Sequence, residues 1–142
     1  MAPYSIHVKI IQNNPSNWYR IVEETVFSDG TWSKCGSEHT LTIDRSGTSG
    51  MLRFTNPTGD FFLVALGVHN YKRWCDIVPD ASTSMTGVQV NPLYYASGDG
   101  NRNGMLWKQL ANLEVVTAKG VHIKVDYYKE DGNTLYATIT VV

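Results

Sequence analysis

The sequence lacks a charge excess. Twelve Lys and Arg face thirteen Asp and Glu, a formal net charge of -1. A broad nucleic-acid footprint needs clustered basic residues, and the densest basic run here is Lys72-Arg73, so no nucleic-acid partner is expected. No apolar run approaches the length of a membrane span. In the opening MAPYSIHVKIIQNN, His7 and Lys9 interrupt the sole apolar stretch and no basic segment precedes it; without a signal-peptide pattern the expected location is the cytoplasm. Cysteine is scarce as well. Cys35 and Cys75 cannot make a disulfide framework, and they read as free thiols acting as small buried hydrophobes. The Asn-x-Ser/Thr triplets at Asn14 and Asn56 both carry proline in the middle, which removes them as glycosylation acceptors.

Catalytic signatures are missing too. There is no GxSxG elbow, no HExxH or CxxC spacing, and neither cysteine lies in a nucleophile signature. Of the four histidines, His7 and His122 fall on the polar faces of expected strands. No catalytic residue, metal or cofactor is expected. A pair of acids such as Asp44 and Asp76 meets the minimal demand of glycoside cleavage, but two acids among thirteen arise by chance. Sugar release that disappears on mutating either acid would mark such an enzyme.

What the chain does hold is strand signal. Its 142 residues are 42% hydrophobic, enough for one domain, residues 1–142, with a core of its own. Residues 5–12 alternate Ile6, Val8 and Ile10 with His7 and Lys9, and residues 39–44 repeat the pattern with Leu41 and Ile43 inward. Residues 51–55 and 61–68 are short apolar runs separated by the turn cluster Asn56-Pro57-Thr58-Gly59-Asp60. Residues 121–128 put Val121, Ile123, Val125 and Tyr127 on one face. Glu130-Asp131-Gly132-Asn133 then turns the chain into residues 135–142, a hairpin. Helix signals are confined to residues 105–112 and one turn at 80–85, with Asp80 as a possible cap. The expected fold class is all-β with few short helices, an antiparallel β-sandwich.

Three segments combine polar groups, glycine and aromatics. Ser46-Gly47-Thr48-Ser49-Gly50 reads either as a plain hairpin loop or as a ligand loop. In the second reading glycine admits backbone N–H groups close to a ligand while hydroxyls donate and accept, the mixture that a sugar needs. Residues 67–78 run from Gly67 and His69-Asn70 through Trp74 to Asp76 and Ile77. Asn70 both donates and accepts, Asp76 accepts, and Trp74 is either core or the flat face on which a pyranose stacks. Residues 94–103, YYASGDGNRN, form a polar loop whose Asp99 and Arg102 suit a pocket rim.

The strings SGTSGxLRF, here at residues 46–54, and GVHNYKRWCDIV at residues 67–78 are long and specific. With their spacing, and with Gly30-Thr31-Trp32, Asn91, Tyr94-Tyr95 and the closing hairpin, they make the whole chain resemble the fungal fruit body lectin family, the mushroom lectins of Agaricus, Boletus and Xerocomus. The resemblance implies an actinoporin-like β-sandwich, a homotetramer, and binding of Gal-β1,3-GalNAc (the T-antigen disaccharide) and GalNAc, with a second site for terminal GlcNAc and a role in defence against grazing animals. It places Ser46, Gly47 and Asn70, with His69 adjacent, at the first sugar site. The rim loop of that site is Phe27-Ser28-Asp29-Gly30 here, about two residues shorter than the family's Tyr-Ala-Asn-Gly-Gly. At the second site, reached through Trp74, Asp76 and Ile77 match and Arg102 takes the place of the family arginine. Pro79 stands where a threonine is expected and Leu113 where a tyrosine is expected, so GlcNAc binding is expected to be weakened, absent or retuned. The alternative reading is a membrane-active, actinoporin-like toxin. The start of this chain lacks the long amphipathic helix that such a toxin inserts, so no membrane insertion is expected. Liposome leakage would favour the toxin, and glycan-dependent agglutination without leakage the lectin.

Overall fold

A computed structural model describes residues 3–98 and 102–142. Ten strands run in chain order: β1 (Tyr4–Gln12), β2 (Arg20–Val26), β3 (Gly30–Cys35), β4 (Glu38–Ile43), β5 (Thr48–Thr55), β6 (Phe61–His69), β7 (Lys72–Ala81), β8 (Asn112–Val116), β9 (His122–Lys129) and β10 (Thr134–Val141). They form a six-stranded sheet in the order β3-β4-β1-β10-β9-β8 and a four-stranded sheet in the order β2-β5-β6-β7. Two short helices, α1 (Gly87–Val90) and α2 (Gly104–Lys108), lie between β7 and β8.

The alternating strands behave as their pattern demands. Ile6, Val8, Leu41, Ile43, Ile123, Val125, Leu135 and Ile139 are buried between the sheets, and their polar neighbours face out. The β9–β10 hairpin forms antiparallel as expected, with a register shift at Tyr136 and Ala137. The expected sandwich is antiparallel but for one pair: β1 lies parallel to β10, Ile6 opposite Leu135. Pairing the first strand with the last closes the six-stranded sheet through its middle, a long-range contact that local periodicity does not encode.

The unbroken apolar runs have a different cause. One face of the four-stranded sheet joins the main core through Leu52, Phe54, Val64, Leu66, Cys75 and Ile77. Its other face carries Met51, Leu63, Ala65, Trp74 and Val78, and is covered by Val90, Tyr94 and Leu106 from the helical segment. A sheet buried on both sides loses the wet alternation. Close approach is built in at Gly67, where a Cβ would lie 2.6 Å from Ser49 Cβ and 2.8 Å from Trp74 Nε1.

Three local expectations change. The one-turn helix at residues 80–85 does not form: β7 continues to Ala81, and Asp80 sits at φ 53°, accepting from the Ala118 N–H at 3.0 Å. Helix α1 instead starts after Thr86, which makes a capping box with Gln89. The helix expected over residues 105–112 ends at Lys108, because Gln109 turns left-handed at φ 48° and β8 begins at Asn112.

Candidate functional site

Two connections meet at one end of the four-stranded sheet. The loop of residues 44–47 joins β4 to β5, and Asn70 and Tyr71 make the two-residue turn between His69 and Lys72. Both turn residues are left-handed, at φ 50° and 65°, as a type I′ hairpin requires. Asn tolerates that region; Tyr does so at a cost of about 1–2 kcal/mol, and such strain is characteristic of ligand sites. Gly47, at φ 95°, donates its N–H to the Val68 carbonyl at 2.8 Å. Ser46 Oγ accepts from the Tyr71 N–H at 3.0 Å, which leaves its own proton free to be donated outward. The side chain of Asn70 is exposed. Ser46, Gly47 and Asn70, far apart in sequence, therefore share one rim.

The short loop before β3 completes that rim. Arg45 donates from Nε to Asp29 Oδ2 at 2.8 Å and from Nη2 to Ser28 Oγ at 3.0 Å. Beneath, Thr48 Oγ1 donates to the Ser28 carbonyl at 2.6 Å and Ser49 Oγ donates to Asn91 Oδ1 at 2.9 Å. Phe27 stacks on Tyr95 with centroids 3.9 Å apart, and burial pushes the Tyr95 hydroxyl up to about 12. None of the Arg45, Asn91 or Tyr95 contacts was legible from spacing, because each joins segments far apart in the chain.

His69 differs from the other members of the first site. Both of its ring nitrogens are buried without a hydrogen-bond partner among the described residues, under an edge-to-face contact with Trp107. Its ring supports the site and does not present a hydrogen-bonding group to a ligand.

The residues assigned to the second site divide. Asp76, 5% exposed, faces the helical segment, where Oδ2 accepts from the Tyr94 hydroxyl at 2.8 Å and from Arg102 Nη1 at 3.3 Å. Ile77 lies in the main core and Leu113, opposite Val125, packs against it. Pro79 is half-buried on β7, the edge strand. Trp74 is 0% exposed. Of the two readings of Trp74 this selects core and removes it from the second site: its ring packs against Tyr94 at 4.9 Å and has no surface to offer. The missed partner is Tyr94, whose hydroxyl ionises far less readily than usual because it is buried and beside Asp76. Asp99 lies outside the described residues.

Asp44 is exposed on its loop while Asp76 is buried among partners. Among the described residues no cluster of three or more His, Cys, Asp or Glu could hold a metal ion, and no helix is long and apolar enough to cross a membrane. A cleft of about 510 Å3 is at the other end of the sandwich between Trp18, Arg20, Glu24, Lys34 and His39. It contains none of the residues above.

A family model for the fungal fruit body lectin matches residues 1–139. The chain belongs to this family. It is 44% identical over 140 residues to the Boletus edulis lectin, covering 96% of each chain. The crystal structure of the wild-type Xerocomus chrysenteron lectin superposes with a TM-score of 0.92 at 42% identity, over 99% of both chains. A form of that lectin with three methionine substitutions gives a TM-score of 0.93 at 42% identity, over 99% of this chain and 98% of the other. The protein is thus a non-enzymatic carbohydrate-binding lectin, and its fold is that of the Xerocomus lectin.

Proposed function

We propose that the lectin binds Gal-β1,3-GalNAc and GalNAc glycans at the rim formed by Ser46, Gly47 and Asn70. The observation that carries this reading is the meeting of the two connections, with Ser46 Oγ accepting from the Tyr71 N–H at 3.0 Å. It sets a hydroxyl, a glycine backbone and an amide side by side, so that hydroxyls that both donate and accept find partners of both kinds. Single sites of this kind are shallow, and a homotetramer supplies the avidity that glycoprotein surfaces reward; defence against animals that graze is the role such agglutination serves.

At the second site the Asp76–Arg102 pair is kept, while Pro79 and Leu113 carry no hydroxyl. Each lost hydrogen bond is worth about 1 kcal/mol, so GlcNAc binding is weakened, absent or retuned relative to a family site that keeps both hydroxyls. A glycan array on the wild type and Asn70→Gly tests the first site: T-antigen signal should vanish in the variant, and an unchanged signal rejects the assignment. Titration with GlcNAc tests the second, where an affinity as high as that of family members with both hydroxyls rejects it.

A further inference from the structure

We propose that Trp107 is a stacking wall of the Asn70 site, taking the apolar face of the sugar joined to the one held by Ser46, Gly47 and Asn70. The proposal rests on the reading of that rim given above. A sugar site built only from hydroxyl, amide and backbone groups leaves the C–H face of a pyranose without a partner, and a flat aromatic ring is the side chain suited to cover that face. The sequence offers four tryptophans. Trp74 is buried. Trp32 is half-buried, with its indole N–H donated to the Thr25 carbonyl at 2.8 Å, and Trp18 lines the cleft at the opposite end. Trp107 remains, 61% exposed.

An exposed tryptophan is by itself ordinary. What distinguishes Trp107 is how firmly a five-residue helix, too short to be stable alone, is tied to the Asn70 hairpin. The indole meets His69, the residue before Asn70, with ring centroids 4.5 Å apart and planes at 88°. Immediately after the helix, Gln109 Nε2 donates to the His69 carbonyl at 2.7 Å. The Gln109 carbonyl in turn accepts from Arg73 Nη1 at 3.0 Å, and Arg73 is paired with Glu130 at 3.0 Å. Both strands of the hairpin therefore hold the end of α2. The ring is ordered before any ligand arrives, so little side-chain entropy is left to lose on binding. The covered nitrogens of His69 fit the same division of labour: His69 spaces the indole from Asn70, the polar trio reads hydroxyls, and Trp107 supplies apolar area. A monosaccharide fills the trio alone; a disaccharide extends along the hairpin to the indole.

Titration calorimetry of the intact lectin separates these roles. With Trp107→Ala, affinity for Gal-β1,3-GalNAc should fall about three- to tenfold, the range for one aromatic contact. Affinity for GalNAc alone should change less than about twofold, and Trp107→Phe should restore most of the loss. Disaccharide affinity unchanged in Trp107→Ala overturns the proposal, as does an equal loss for both sugars that Phe does not rescue. Asn70→Gly is the control on the underlying reading. If it abolishes both affinities while Trp107→Ala changes neither, only the Trp107 role falls; if Asn70→Gly changes nothing, the site itself is misplaced and the wall with it.

Discussion

The Tyr94 hydroxyl donates to Asp76 Oδ2 at 2.8 Å, a buried bond between the helical segment and the outer face of β7. Asp76 is an acid in a buried position, with the Arg102 guanidinium as its cationic neighbour at 3.3 Å. A buried acid is tolerated only when it is paired and hydrogen-bonded. Tyr94→Phe keeps the ring contact with Trp74 and removes only the hydroxyl. Urea unfolding should show a loss of about 1–3 kcal/mol, and a loss near zero would show that Asp76 does not depend on Tyr94.

Asn70 has a backbone task and, in the proposed site, a ligand task, and glycine separates them. At φ 50° alanine would add about 1–2 kcal/mol of strain, whereas glycine takes the left-handed region freely. Asn70→Gly should keep the wild-type melting temperature within about 2 °C, a shift that corresponds to under 1 kcal/mol, while losing T-antigen binding. Asn70→Ala should lose both.

Gly67→Ala tests how tightly the two-sided sheet is packed. The added methyl would lie 2.7 Å from the Thr48 carbonyl oxygen and 2.8 Å from Trp74 Nε1, so backbone must shift. Overpacking of this kind costs about 1–3 kcal/mol, read as a lower midpoint in urea. Because Thr48 follows Gly47 directly, T-antigen affinity should fall in the same variant.

Alkaline pH should unfold the lectin through its buried acids. Desolvation pushes the Cys75 thiol from 9.0 up to about 12 and the Tyr95 hydroxyl from 10.0 up to about 12; burial also raises Tyr94 and Tyr127. Unfolding returns these groups to their usual values. Between about pH 9 and 12 the unfolded chain therefore releases protons that the native chain keeps, and stability drops. It is fully present below about pH 9 and falls by up to about 1.4 kcal/mol per pH unit for each group in its window. Urea midpoints measured from pH 8 to 11 should decline steadily; a flat profile would mean these groups are not held neutral.

The cysteines differ in the same sense. Both are free thiols, but the expectation of two buried hydrophobes holds for Cys75 alone: Cys35, at the end of β3 on the edge of its sheet, is exposed. A thiol-specific reagent at pH 8 should titrate one cysteine per native chain and two in urea, since only an accessible thiolate reacts.

Much of this was legible from local pattern. Alternation in β1, β4, β9 and β10 named the inward residues, because a strand with one wet face repeats every second residue. Residues 46–54 and 67–78 pointed to the polar rim, since glycine and small hydroxyl side chains mark where backbone can approach a ligand. β7 was harder: Lys72, Arg73 and Asp76 hid a strand whose less exposed polar groups are paired by other elements, Arg73 with the Gln109 carbonyl and Asp76 with Tyr94. Asp80 looked like a helix cap by type and caps a turn in the β8–β9 connection instead, since a carboxylate serves whichever unpaired N–H the fold brings near.

The chain by itself thus determined a β-rich lectin, because side-chain periodicity and the resemblance carried by two long motifs are local properties of the sequence. Tertiary structure alone decided which tryptophans are buried and which are exposed. Trp74 stands within the most telling motif, yet it is sealed between a two-sided sheet and Tyr94. Trp107, in a stretch that shows only a helical signal, is held beside Asn70 by His69 and Gln109. Exposure of a ring depends on what other segments bring to cover it, and those contacts join residues about 40 positions apart.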